Sequence, residues 1–553
     1  MLVVSLFVLV ASVAQVAIGA NIFIEWDVGY ITVNRDGNNT RRAISVNGAL
    51  PIPPIKATKG DTLHLTVHNS LDVTTSIHAH GLFQNGTNHM DGAAMITQCG
   101  IPPKKSFTYV YHLAQAGTYW IHGHDHSQNS DGLRTAFLIY DDDKPPYDYE
   151  KDILMTLEDW FREEFTQREK ETLDPKNEFP PPHGYGFGLI NGINGNYSES
   201  LHFEPGKTYR IRLINMGRVN WFKFRLPGHR MRVIEVDGVY TEPLEVDVID
   251  ISPAQRYSVL VTAHDTYEFN YNFNATLHAD FIPAAPGLIP RLYIGDIIYR
   301  EDAPFKHIPS VDESELVWLN DINLIPLDRE EALPVDRVVR YNVGNALVST
   351  DQHLDFFNNV TFALPKIPSL YTAQSLGDLA MDSRVYGPQT NALILKHNEV
   401  VEFTFNNREP LPHPFHMHGH TFQVTEYGPA ELLFDDPRAP KNISTVHATG
   451  PPVRRDTMVV PGFHYIKFRI RADNPGVWLF HCHLDIHFVL GMGMVIIEAP
   501  DVLQERQKVP QLMYELCRQQ NIPVSGNAAG NGGLDFTGLP VQPAIVNTNT
   551  TSP

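Results

Sequence analysis

The stretch HNEVVEFTFNNREPLPHPFHMHGH, His397 to His420, decides the reading of the fold. From Val401 to Asn406 apolar and polar residues alternate, with the Val, Phe and Thr content that suits a pleated, half-buried surface. Prolines interrupt the run, and a His-x-His pair follows at His416 and His418. GDTLHLTVHNSLDVTTSIHAHG, Gly60 to Gly81, takes the same course to His78 and His80. A second echo joins AGTYWIHGH, Ala116 to His124, with PGVWLFHCH, Pro475 to His483, each carrying a glycine, an aromatic residue and His-x-His in one order. Matched segments towards the two ends of a chain point to an internal duplication.

Between the echoes, KTYRIRLINM (Lys207–Met216) and QRYSVLVTAH (Gln255–His264) have the same strand texture without any His-x-His. Helical periodicity is confined to DWFREEFTQREKE (Asp159–Glu171) and QERQKVPQLMYELCRQQ (Gln504–Gln520), so the expected class is all-β. A chain of 553 residues exceeds one hydrophobic core. The Pro-containing stretches DDDKPPYDYEKD (Asp141–Asp152) and YREDAPFKHIPSVDES (Tyr299–Ser314) suggest boundaries, giving domains at 21–145, 146–305 and 306–505 and a tail at 506–553.

A net charge of −20 repels phosphate backbones and anionic bilayers, which argues against nucleic acid as a partner. Residues 1–20, MLVVSLFVLVASVAQVAIGA, read as a secretory signal segment, and seven N-x-[ST] sequons, including Asn85, Asn359 and Asn442, agree with a secreted or cell-wall protein. The Gly/Asn/Thr-rich tail gives no expectation of a C-terminal membrane anchor, and a monomer is expected. Of three cysteines, Cys99 and Cys517 could pair in an oxidising compartment, leaving Cys482 free.

Cys482 lies inside HCHLDIH, His481 to His487. Residues i and i+2 of a strand share a face, so each of the pairs His78/His80, His122/His124, His416/His418 and His481/His483 can aim two imidazoles one way. A single pair is as well explained as a polar strand face; four in matched halves point to metal. One thiolate with two histidines and a methionine describes a type 1 copper site, here Cys482, His413 and His487 with Met492 as the axial candidate and Met494 as its competitor.

The motifs HAHGLFQNGTNHMDG, GTYWIHGH, HPFHMHGH and HCHLDIHFVLGMGM resemble those of the multicopper oxidases, in particular the fungal laccase and iron-ferroxidase group. The resemblance implies three consecutive cupredoxin-like Greek-key domains, a Cys99–Cys517 disulfide and four copper ions, one type 1, one type 2 and two type 3. It assigns His413, Cys482, His487 and Met492 to type 1 copper, and His78 and His416 to type 2. His80, His122, His124, His418, His481 and His483 fall to the type 3 pair. O2 is the implied acceptor, and Asp91 and Asp485 match positions of proton delivery. His89 and His126 fit no ligand slot and read as surface residues.

The electron donor turns on three positions. The ferroxidases of the group have a three-carboxylate pattern, suited to Fe2+ because a hard cation prefers oxygen ligands. Asp280 and Glu409 supply two acids, while His202 is read at the third position. An imidazole there favours a small aromatic donor, so the leading expectation is a secreted laccase-like phenol oxidase, with a soluble Fe2+ oxidase as the alternative.

Overall fold

The computed structural model describes residues 19–37, 39–141, 145–174, 186–194, 200–278, 292–347, 353–432 and 436–540. Its strands form three sandwiches, each of two sheets. One motif recurs in all three: a long strand pairs parallel with a second, which pairs antiparallel with a third. In the first unit these are Asn21–Val33, Thr62–Asn69 and Ser106–His112. The second unit uses Lys151–Phe161, Thr208–Asn215 and Arg256–Thr262. The third uses Arg337–Leu347, Val400–Asn407 and His464–Arg471.

The opposing sheets repeat as well. Ile77–His80, Gly117–Gly123 and Arg134–Tyr140 pair antiparallel in sequence, and Ile55–Thr58 adds a parallel edge. His413–Met417, Gly476–Cys482, Gly493–Glu498 and Leu393–Leu395 do the same in the third unit. Phe222–Arg225, Tyr271–Leu277, Leu292–Ile298 and Leu201–His202 do so in the second. The duplication visible in the sequence is thus one part of a triplication. The middle copy keeps the pairing scheme without the histidines that made the outer copies recognisable.

Alternation produces these sheets. In Thr62–Asn69 the residues Leu63, Leu65 and Val67 are wholly buried, while the threonines and histidines between them face outward. The Gly476–Cys482 strand departs from that pattern because it is buried along its whole length. Val477 and Leu479 enter the core shared with the first unit, whereas Trp478, Phe480 and Cys482 enter the core of the second and third. Each fully buried Leu, Val or Phe contributes about 1.5–3 kcal/mol, so this strand ties the outer units together.

The two helical readings shift. Asp159–Phe161 finish the strand Lys151–Phe161, and the helix spans Phe165–Leu173. The C-terminal stretch divides into helices Pro500–Arg506 and Gln511–Arg518 around Pro510, which lacks the N–H a continuous helix requires. Cys517 on the second helix is bonded to Cys99, and Cys482 is the free, buried thiol.

Candidate metal centre

Sheet register assembles the histidines. His78 faces His122 across one strand pair of the first unit, and His416 faces His481 across one of the third. The outer units abut, so all four His-x-His pairs meet in one cluster. His124, His418 and His481 bring ring nitrogens within 4.8 Å of one another. The rings of His80, His122 and His483 form a second triangle, with centroids 5.1 to 5.7 Å apart. His78 and His416, 5.8 Å apart, complete the cluster.

Their hydrogen bonds prepare these rings for a cation. His78 Nδ1 donates to the Asp91 carbonyl at 2.8 Å, His122 Nδ1 to the Gly123 carbonyl at 3.0 Å and His481 Nδ1 to the Cys482 carbonyl at 2.9 Å. His418 Nδ1 donates to Asp91 Oδ2 at 2.8 Å and His416 Nδ1 to the Asp456 carbonyl at 3.0 Å. His80 is inverted: Nε2 donates to Asp456 Oδ1 at 3.1 Å. In each ring the other nitrogen, Nε2 in five cases and Nδ1 in His80, is buried without a protein partner. Burial lowers His80, His122, His418, His481 and His483 well below the ordinary imidazole value and His124 to about 3, leaving neutral rings with available lone pairs. Orphaned buried nitrogens in such number fit metal, since buried polar groups otherwise find hydrogen-bond partners.

Three carboxylates border the cluster. Burial works against ionisation of Asp91, but His418 and His78 outweigh it and hold its carboxyl well below the usual range. Asp485 has the opposite balance: burial pushes it up to about 6 against its hydrogen bond from Ser130 and the nearby Arg218. Asp456 is ionised despite complete burial because Arg256 grips both its oxygens, at 2.7 and 2.6 Å. Asp456 and Arg256 escaped the sequence reading; RRDT, Arg454 to Thr457, has no ligand spacing. A cavity of about 540 Å³ reaches the cluster, with His124, His481 and Asp485 in its wall alongside the apolar Phe362, Phe488 and Leu490.

The second centre lies across the Gly476–Cys482 strand. Cys482 Sγ is 3.8 Å from His413 Nδ1 and 3.7 Å from His487 Nδ1, with 2.9 Å between those nitrogens. Met492 is wholly buried in the same core, and its carbonyl accepts from the Cys482 N–H at 3.0 Å. Burial first, and then the neighbouring carboxyls of Asp355, Glu409 and Asp485, raise the Cys482 thiol, so a cation is needed to hold a thiolate there. Glu409 Oε2 accepts from His413 Nε2 at 3.1 Å, and Asn345 donates to its other oxygen. Asp355, opposite Asn345 in the sheet, is pushed well up by burial and then by Glu409.

His202 is not at this centre. It sits on the edge strand Leu201–His202 and lines a recess with Glu150, Lys151, Glu204 and Arg300, none of them on the strands of His413 and Cys482. In the recurring sheet that edge strand is separated by two strands from the one equivalent to His413–Met417. This removes the aromatic-donor argument built on His202. Asp280 lies outside the described residues. His126 is exposed and bonded to Glu169, whereas His89 is half-buried, its imidazole lowered to about 4 by burial.

Three cupredoxin-like sandwiches, one Cys/His₂ centre and one eight-histidine cluster define a copper-dependent, O2-reducing oxidoreductase. The chain belongs to the multicopper oxidases: the family's models match residues 27–144, 151–288 and 362–502. It is 38% identical to the iron multicopper oxidase fer1 of Mycosarcoma maydis, over 95% of this chain and 88% of that protein. It is 36% identical to the iron transport multicopper oxidase fetC of Epichloe festucae, over 97% and 86%. Among solved structures, Fet3p, a multicopper oxidase that functions in iron import, superposes with a TM-score of 0.85 at 32% identity, covering 95% of this chain and all of that one. The laccase of Botrytis aclada reaches 0.75 at 26%, covering 91% and 92%.

Proposed function

We propose that this protein is an iron oxidase, removing one electron at a time from Fe2+ and reducing O2 to water. The Glu409–His413 hydrogen bond carries the reading: a carboxylate suited to a hard cation is joined directly to a histidine of the Cys482 centre. Relatives named for iron oxidation or transport, matched over almost the whole chain, favour it over a phenol oxidase.

Type 1 copper would be held by His413, Cys482, His487 and Met492, and type 2 by His78 and His416. The type 3 pair is assigned to His80, His122 and His483 on one side and His124, His418 and His481 on the other. When bound, copper would supply one-electron acceptance at the first centre, and the three ions of the cluster together with that first one would hold the four electrons that O2 requires. Glu409 holds the donor against His413. The covalent path from Cys482 to His481 and His483 spans one residue in each direction. Asp485, held near a pKa of 6, is placed to give protons to reduced oxygen, and Asp91 fixes His78 and His418. The leader segment and the exposed sequons Asn85, Asn359 and Asn442 support passage through the secretory route.

The test compares kcat/KM for Fe2+ with that for substituted phenols on copper-loaded protein, for wild type and Glu409→Gln. The expected result is a strong wild-type preference for Fe2+ that Glu409→Gln erodes through KM. Preference for the phenol, untouched by the substitution, overturns it.

A further inference from the structure

Among the described residues the second unit supplies no histidine to the cluster, yet one of its side chains reaches the cluster's edge. Arg256 opens the Arg256–Thr262 strand and is wholly buried. Its guanidinium makes a two-pronged pair with Asp456 of the third unit. Its Nε donates to the Thr118 carbonyl of the first unit at 3.0 Å, and Nη1 also donates to the Ala254 carbonyl at 3.1 Å. Thr118 lies on the Gly117–Gly123 strand, which carries His122. One guanidinium therefore bridges all three units at the cluster.

What Asp456 does in turn makes that bridge consequential. Its Oδ1 accepts from His80 Nε2 at 3.1 Å and from the Thr457 hydroxyl at 2.8 Å, while its carbonyl accepts from His416 Nδ1. A carboxylate that could rotate would leave His80 Nε2 only the neutral Thr457 hydroxyl, 3.3 Å away, as an acceptor. Either ring nitrogen of His80 could then carry the hydrogen. A carboxylate gripped by both oxygens cannot rotate, so Nδ1 of His80 is left bare and facing the cluster. Lysine could not replace this grip, because it offers one point charge in place of a planar fork.

We infer that Arg256 is a positioning residue for the metal cluster: acting through Asp456, it fixes the orientation and tautomer of His80 and holds His416 beside it. This rests on the assignment of the eight histidines to copper and is independent of which donor is oxidised. The Cys482 centre lies across the strand and makes none of these contacts, so the two centres separate the role from general stability.

The experiment prepares Arg256→Lys, Arg256→Met, Asp456→Asn and the Arg256→Met/Asp456→Asn double variant as full-length protein. Copper per chain, the competition of a Cu(I) chelator for cluster copper and the electron-spin-resonance splitting of the type 2 signal are measured, with the visible thiolate–copper band and near-ultraviolet circular dichroism as controls. Removal of a group that orients a metal ligand costs about 10- to 100-fold in metal affinity. Arg256→Met is expected to lose that much at the cluster with an altered type 2 splitting, Arg256→Lys less, and both with the thiolate band intact. The double variant is expected to be no worse than the more impaired of its two single variants, because both changes break one contact. Unchanged cluster affinity and splitting in Arg256→Met overturns the inference. So does loss of the thiolate band in step with cluster copper, or additive losses in the double variant. If Arg256→Met yields no folded protein, the same readouts on Arg256→Lys and Asp456→Asn decide: unchanged splitting in both overturns it.

Discussion

His481 and Cys482 are consecutive residues that enter different cores. His481 turns to the cluster between the outer units, where its ring lies 5.5 Å from that of His124. Cys482 turns into the core behind it, to His413 and His487. The pleat alone produces this division, and it places two chemically distinct centres one residue apart along a covalent path. A strand buried on both faces is the condition for it, since otherwise one of the two centres would face water.

Cys482→Ser follows from that division. A hydroxyl is a poor substitute for a thiolate, and its volume is close enough to keep the core packed. The expected protein folds, lacks the visible thiolate–copper band, holds one copper fewer per chain and, with Fe2+ as the proposed donor, consumes O2 below detection. Metal analysis and absorption check this. Loss of cluster copper as well would mean the two centres do not assemble separately.

Much of this was legible in the sequence because i and i+2 geometry is local: once His78, His80, His416 and His418 are placed on strands, their shared faces follow. The Cys99–Cys517 bond was legible from parity and the family motif. The kinship of the middle unit was hidden because pairing order leaves no residue signature when the ligands are gone. Asp456 and Arg256 were hidden for a related reason. Their contact joins two units across 200 positions of sequence, and neither has a spacing that announces it. His202 was read at the third position from its place just ahead of EPGKTY, Glu204 to Tyr209, and linear place in a motif does not tell which edge of a sheet a strand will occupy.

Asp485→Asn should slow the oxygen half of the reaction without touching the electron-donor half. The amide keeps the size and a hydrogen bond to Ser130 but cannot give a proton. Reoxidation of the fully reduced protein by O2, followed by stopped flow, is expected to fall about 10²- to 10⁴-fold, while reduction by Fe2+ keeps its rate. Asp485→Glu should recover part of the loss. Equal slowing of both halves would assign Asp485 to structure.

Glu235 makes stability sensitive to acid. It is wholly buried, accepts from the Thr118 N–H at 2.7 Å and pairs with Arg210. Burial raises its carboxyl, but Arg210 and Arg212 outweigh this and lower it from 4.5 to about 2. A depressed folded value gives stability that is present in full above pH 4.5 and is lost as pH falls towards 2. The shift corresponds to about 3 kcal/mol. Wild type is expected to lose thermal stability steeply across that window, and Glu235→Gln to start lower and change less. Parallel curves for the two proteins would remove Glu235 as the cause.

Gly81, directly after His80, tests how tightly the cluster's border is built. Its φ is +90°, and a Cβ there would stand 2.6 Å from Arg256 Nη2, 2.8 Å from Asp456 Oδ2 and 2.8 Å from the Tyr119 ring. Gly86 also has a positive φ, +75°, but has nothing within 4 Å of such a Cβ. Alanine at either site bears backbone strain of about 1–3 kcal/mol. Only at Gly81 must the Arg256–Asp456 pair also move, and two buried charges held by short hydrogen bonds cannot yield cheaply. Gly81→Ala is therefore expected to lose cluster copper and keep the thiolate–copper band, while Gly86→Ala melts slightly earlier with full copper. The comparison needs only metal analysis, absorption and a melting curve. Full copper in Gly81→Ala would mean that the guanidinium can shift without disturbing His80.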